Sequence, residues 1–186
     1  MVKTTNMTKR LVTRFLGMPM AQTKKSINVW EELLARHEFK RILEIGTYKG
    51  NLALYLLLFC MNRPNDAEFH TYDIKNLWGG SKLKNTIEFG KCFKKWDVFE
   101  HVDEIGKLIG EEGISIVFCD GNEKSDEFNT FAPFLKVGDI IGQHDWNSEF
   151  SKEEETEETR RKYHLRELLT KECDDEGYLR FFIKDA

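Results

Sequence analysis

The sequence predicts a doubly wound α/β fold, with a mostly parallel sheet, helices on both faces and an antiparallel strand at the C-terminal end. Three observations predict it. Short apolar runs alternate along the chain with longer helix-like segments. The first strong run ends in a glycine loop that opens a helix, and a turn-forming Asp174–Gly177 (DDEG) stretch precedes the last run. Strands separated by helices need crossover connections, which align the strands in parallel and cover both faces of the sheet.

Taken in order, Arg41 to Gly46 (RILEIG) reads as a buried strand entering a tight turn. Leu52 to Cys60, almost without β-branched residues, reads as a buried helix that Pro64 and Asn65 end. Phe69 to Ile74 (FHTYDI) is a second strand and Val98 to Val102 a weaker third. A helix over Glu104 to Glu112 leads into the strongly apolar Ile114 to Cys119 (ISIVFC), the fourth strand. Glu127 to Leu135 is a helix, and Gly138 to Gln143 (GDIIGQ) a fifth strand. Glu154 to Leu169 reads as one charged amphipathic helix, its early carboxylates suited to the positive end of the helix dipole. Tyr178 to Lys184 closes the chain as an antiparallel edge strand in a terminal hairpin.

At 186 residues the chain is expected to form one domain with a substantial core. A net charge of -4 argues against a general nucleic-acid binder, and the cluster Lys91, Lys94 and Lys95 reads as solvated surface. The longest apolar stretch, Leu52 to Met61, is too short to span a bilayer, and Met1 to Arg14 lacks the pattern of a secretory signal. Four scattered cysteines (Cys60, Cys92, Cys119, Cys173) show no metal-ligand spacing, and Cys60 and Cys119 lie in apolar runs. Together these predict a cytoplasmic protein; the sequence leaves a homo-oligomer open.

In an open parallel sheet ligands bind beyond the carboxyl ends of the strands, near the switch in strand order. That directs attention to Glu44–Asn51, Asp73–Asn76, Asp103, Asp120–Lys124 and His144–Asn147. The loop EIGTYKGN has Gly46 and Gly50, but Tyr48 and Asn51 occupy the second and third glycine positions of a dinucleotide fingerprint. Tyrosine there crowds a pyrophosphate, so the loop disfavours NAD and suits a cofactor without phosphate. Gly46 and Gly50 let backbone approach a ligand, while Glu44 can orient the loop or meet a cationic group. Asp73, ending the second strand, can accept hydrogen bonds from both hydroxyls of a ribose. As a surface residue it would merely cap a turn.

These residues carry a resemblance. ExGTYxG before an apolar helix, with an acid ending the next strand, resembles motifs I and II of class I S-adenosylmethionine-dependent methyltransferases. More narrowly, Gly17 to Leu34 leading into RILEIGTYKGNLALYL, with FCDGN and HDW further on, resembles the cephalosporin hydroxylase and sugar O-methyltransferase group. The resemblance implies a Rossmann-like core over residues 41–186, behind an N-terminal helical extension over 1–40. It also implies S-adenosylmethionine held by Glu44, Gly46, Thr47, Tyr48, Gly50, Asn51, Asp73 and Asp120. The expected reaction is O-methylation of a small hydroxylated acceptor. The alternatives are metal-independent N- or C-methylation and a catalytically idle cofactor-binding domain.

Asp120 follows one apolar strand and His144-Asp145 another, so three potential ligands are expected around one crevice. Hard divalent cations such as Mg²⁺ take carboxylate oxygens, and a bound ion would acidify an acceptor hydroxyl. The resembling metal-dependent enzymes carry acids or amides at these positions. His144 departs from that pattern and suits Mn²⁺ or another borderline ion better; related metal-free enzymes carry the same HD pair. The catalytic candidates are Asp120, His144 and Glu123, the last standing where several relatives have a basic histidine. Trp146 and Trp78 are candidate walls, with Trp78-Gly79-Gly80 a candidate lid.

Overall fold

The computed structural model describes residues 13–16, 18–64, 66–77, 87–148 and 152–186. Trp78, Gly79 and Gly80 lie outside the described residues. In chain order the elements are β1 (Thr13–Phe15), β2 (Met18–Met20), α1 (Lys24–Arg36), β3 (Arg41–Ile45), α2 (Asn51–Met61) and β4 (Glu68–Tyr72). They continue with α3 (Ile87–Cys92), β5 (Phe93–Lys94), α4 (Val102–Gly110), β6 (Ser115–Cys119), α5 (Lys124–Phe131) and β7 (Ile140–Gln143). The chain closes with α6 (Glu154–Lys162), β8 (Leu165–Leu168), α7 (Thr170–Glu176) and β9 (Arg180–Lys184).

β1 and β2 form a small antiparallel pair, and the other strands form one sheet in the order β5-β4-β3-β6-β7-β9-β8. β3 to β7 run parallel, while β9 is antiparallel to both β7 and β8. The strand order reverses between β3 and β6, so the crevice opens at their carboxyl ends.

Alternation along the strands sorts the core into two layers, because successive side chains point to opposite faces. Ile42, Ile116, Phe118, Ile140 and Phe181 pack with α1 and α2 on one side. Leu43, Val117, Cys119, Ile141 and Phe182 pack with α4 and α5 on the other. Trp30 anchors the first layer, its ring edge-on to Phe118 at 4.8 Å and to Phe181 at 4.9 Å. α2 is apolar almost all round, as a helix covered on several sides must be.

The structure corrects several sequence expectations. Val98–Val102 is not a strand: the Asp97 carboxylate accepts the Phe99 N–H at 3.0 Å and caps a 3₁₀ turn over Val98–Glu100. Local side-chain capping there outcompetes β-propensity. The strand beside β4 is instead the two-residue β5, which places Asp103 in the first turn of α4.

The expected helix over 154–169 stops at Lys162, and Leu165–Leu168 pairs with β9 because the apolar RFFIK strand offers it a ladder. β9 is therefore an inner strand and β8 the edge. DDEG ends α7, with Gly177 at φ +93° accepting the left-handed cap that a side chain disfavours. α5 begins three residues before the expected Glu127, at Lys124. No helix among the described residues is long and apolar enough to cross a membrane.

Candidate active site

β3 hands its chain to α2 through Gly46–Gly50. Gly46 sits at φ +97°, and a Cβ there would lie 2.2 Å from the Asp120 carbonyl oxygen. Its bare Cα lets the ends of β3 and β6 approach each other, and the same residue stands on the lining of the cleft above them. Gly50 is left-handed at the start of α2, and Tyr48 is left-handed at φ +47° with its side chain exposed.

Glu44 is buried at 1% exposure and accepts a 2.5 Å hydrogen bond from Thr71, whose hydroxyl also pairs with that of Thr47 at 2.6 Å. Burial is the main force pushing the Glu44 carboxyl up to about 8, with Asp120 and Asp73 adding to it against the Thr71 bond. Asp73, just past β4, accepts from the Tyr48 N–H and from the Lys75 N–H, both at 2.8 Å. Each carboxylate oxygen thereby uses one lone pair on the loop and keeps another for a ligand.

A cleft of about 780 Å³ lies over these strand ends, in the size range of small-molecule sites. Tyr48, Asp73, Asp97 and Val98 line it on the side of β4 and β5, Asp120, Glu123, Lys124, Glu127 and Asp145 on the side of β6 and β7, with Gly46 between them. Tyr48, Ile74, Leu77 and Phe99, all exposed, stand among its walls.

At the acidic half, Asp120, His144 and Asp145 offer donor atoms within 4.8 Å of one another. His144 Nδ1 lies 3.2 Å from Asp120 and 3.4 Å from Asp145. Lys124 Nζ is 3.2 Å from Asp145 and 3.7 Å from Asp120, and donates to the Gly121 carbonyl at 2.5 Å. Burial favours neutral His144 and neutral Lys124, but the two carboxylates outweigh it and hold both protonated. Burial likewise disfavours the Asp145 anion, and His144 and Lys124 together overcome it, pulling Asp145 below the usual carboxylate range. Glu127 accepts from the Gly121 and Glu123 N–H groups, and burial lifts it to about 7.

The structure therefore brings together Glu44, Gly46, Thr47, Tyr48, Asn51 and Asp120 around one recess, and Asp120, Glu123 and Asp145 around the larger cleft. His144 stands behind the cleft wall, and its Nε2 is buried with no hydrogen-bond partner among the described residues. Trp146 packs against Phe182 in the core. Sequence reasoning gave Lys124, inside the Asp120–Lys124 stretch, no role of its own, and missed Asp97 and Glu127. The turn between β6 and α5 brings Lys124 back to Asp120, a placement that spacing along the chain does not mark.

No family model matches the chain, and no curated protein does. Solved structures do. An apo structure of CmcI superposes with a TM-score of 0.67 at 13% identity, covering 94% of this chain and 76% of that one. A CmcI complex described as Mg-SAM gives 0.61 at 16%, covering 91% and 76%. A SAM-dependent O-methyltransferase from Thermotoga maritima gives 0.55 at 13%, covering 92% and 69%. At such identities the likeness establishes a shared fold and nothing beyond it.

Proposed function

We propose that the protein is a S-adenosylmethionine-dependent O-methyltransferase acting on a small hydroxylated molecule. The observation that carries this reading is the division of one cleft. Its first half offers a ribose-binding carboxylate and exposed apolar groups; its second half offers an ionised cluster. The neighbouring structures with the same fold include O-methyltransferases, which supports the reading.

Asp73 would take the ribose hydroxyls, and Ile74, Val98 and Phe99 would flank the adenine, with Asp97 at its edge. The sulfonium methyl would then face Asp120, Lys124 and Asp145. Methyl transfer forms a carbon–oxygen bond and breaks the carbon–sulfur bond, and the hydroxyl proton leaves. In-line positioning supplies most of the acceleration. The Lys124 ammonium would stabilise the oxygen as it gains negative charge. Glu123, exposed on the same wall, would take the proton and pass it to water.

The donor set also fits a divalent ion. Once His144 gives up the proton that the carboxylates hold on it, Asp120, Asp145 and the freed Nδ1 would hold the ion, the imidazole favouring Mn²⁺ over Mg²⁺. Bound there, it would acidify the acceptor hydroxyl.

Isothermal titration of the protein with S-adenosylhomocysteine and with NAD tests the reading. It predicts micromolar-range binding of the first and none of the second. Binding of NAD alone would replace the methyltransferase reading with a dehydrogenase one.

A further inference from the structure

Beside the main cleft lies a recess of about 30 Å³, lined by Gln22, Glu44, Thr47, Lys49, Asn51 and Asp120 among others. Gln22 belongs to the segment before α1, outside the sheet, and is 1% exposed. Its side-chain amide lies 3.0 Å from Asp120 Oδ2. A carboxylate accepts hydrogen bonds and does not donate them, so the amide nitrogen is the end that faces Asp120. The oxygen, Oε1, is then left buried with no hydrogen-bond partner among the described residues. A buried acceptor without a donor costs about 1–3 kcal/mol, so the position calls for a donor that a ligand brings.

The segment is held firmly enough for this. Thr23 and Ser26 form a reciprocal cap at the start of α1, and both hydroxyls donate to Glu176 Oε1, at 2.7 and 2.8 Å. The other Glu176 oxygen accepts the N–H groups of Tyr178 and Leu179, each at 2.7 Å. One buried carboxylate thus ties the residue after Gln22 to the turn that enters β9.

Gln22 Oε1, the Asp120 carboxylate and the carboxyl of Glu44 make the recess rich in acceptor oxygens. Lys49 is the cation on its wall, and its ammonium lies over the Tyr48 ring, 5.3 Å from the centroid. The space suits one small, strongly donating cationic group. We propose that Gln22 is a binding residue for the α-ammonium group of the cofactor's amino-acid end, which it receives on Oε1 while its amide nitrogen steadies Asp120. This rests on the methyltransferase reading above and assigns to the N-terminal segment a share of cofactor selection.

The test compares two probes, S-adenosylhomocysteine and 5′-methylthioadenosine, which keeps the adenosine and sulfur but lacks the amino-acid end. Calorimetry on Gln22→Met, close in volume, should show S-adenosylhomocysteine weakened about ten- to a hundredfold, the range for a hydrogen bond to a charged group. Binding of 5′-methylthioadenosine should change less than about threefold, and thereby report an intact fold. Gln22→Asn, which withdraws the amide by one methylene, should show the same selective loss and serves if the first variant does not fold. Equal weakening of both probes, or of neither, overturns the assignment while leaving the methyltransferase reading in place. Failure of the unaltered protein to bind either probe overturns both.

Discussion

At the scale of single residues, two carboxylates carry different burdens. Asp73 is held by two loop N–H groups and offers its remaining lone pairs to the cleft. Asp73→Ala should therefore weaken S-adenosylhomocysteine by about 1–3 kcal/mol in a calorimetric titration. Unchanged affinity would remove Asp73 from the site. Burial pushes the Glu44 carboxyl up to about 8 in the fold, from about 4.3 in an unfolded chain. Between these values the native state keeps a proton that the unfolded chain has lost, so this residue's contribution to stability falls as pH rises through that window. The slope is at most about 1.4 kcal/mol per pH unit. Urea melts from pH 5 to 8 should show a shallower decline in Glu44→Gln than in the parent; parallel curves would show that Glu44 is ionised in the fold.

At the scale of elements, the tight meeting of β3 and β6 depends on Gly46. Alanine there would drive a Cβ to 2.2 Å from the Asp120 carbonyl at a φ of +97°. Both the contact and the backbone resist it, so Gly46→Ala should cost at least about 1–3 kcal/mol in chemical denaturation. It should also displace Asp120. Wild-type stability in this variant would mean that the loop approaches β6 less closely. α1 is tied down differently, through Trp30 between Phe118 and Phe181. Trp30→Ala should cost about 3–5 kcal/mol, with loss of cooperative unfolding as the sign that α1 has come away from the sheet.

At the scale of the whole molecule, strands buried on both faces announce themselves. RILEIG, ISIVFC and GDIIGQ are near-continuous apolar runs, and they became β3, β6 and β7. Edge strands do not: Phe93–Lys94 and Leu165–Leu168 are short and half polar, and their partners decide their state. The candidate site was legible where local chemistry marks it, at the glycine loop, Asp73, Asp120 and Asp145. Lys124 was hidden because DGNEK reads as a loop, whereas a helix begins at its last residue and returns the ammonium to Asp120. Gln22 lies in the Gly17–Leu34 stretch that carries the resemblance, but nothing there singles it out, and its packing against Asp120 gives it a place.

The central claim is that one cleft holds a nucleoside at Asp73 and a reacting methyl before Asp120, Lys124 and Asp145. A crystal structure of the protein with S-adenosylhomocysteine tests it most directly. The account predicts both ribose hydroxyls within hydrogen-bond reach of Asp73 and the sulfur turned toward the Asp120–Lys124–Asp145 cluster. A ligand seated away from Asp73, or with its sulfur facing away from that cluster, would contradict it.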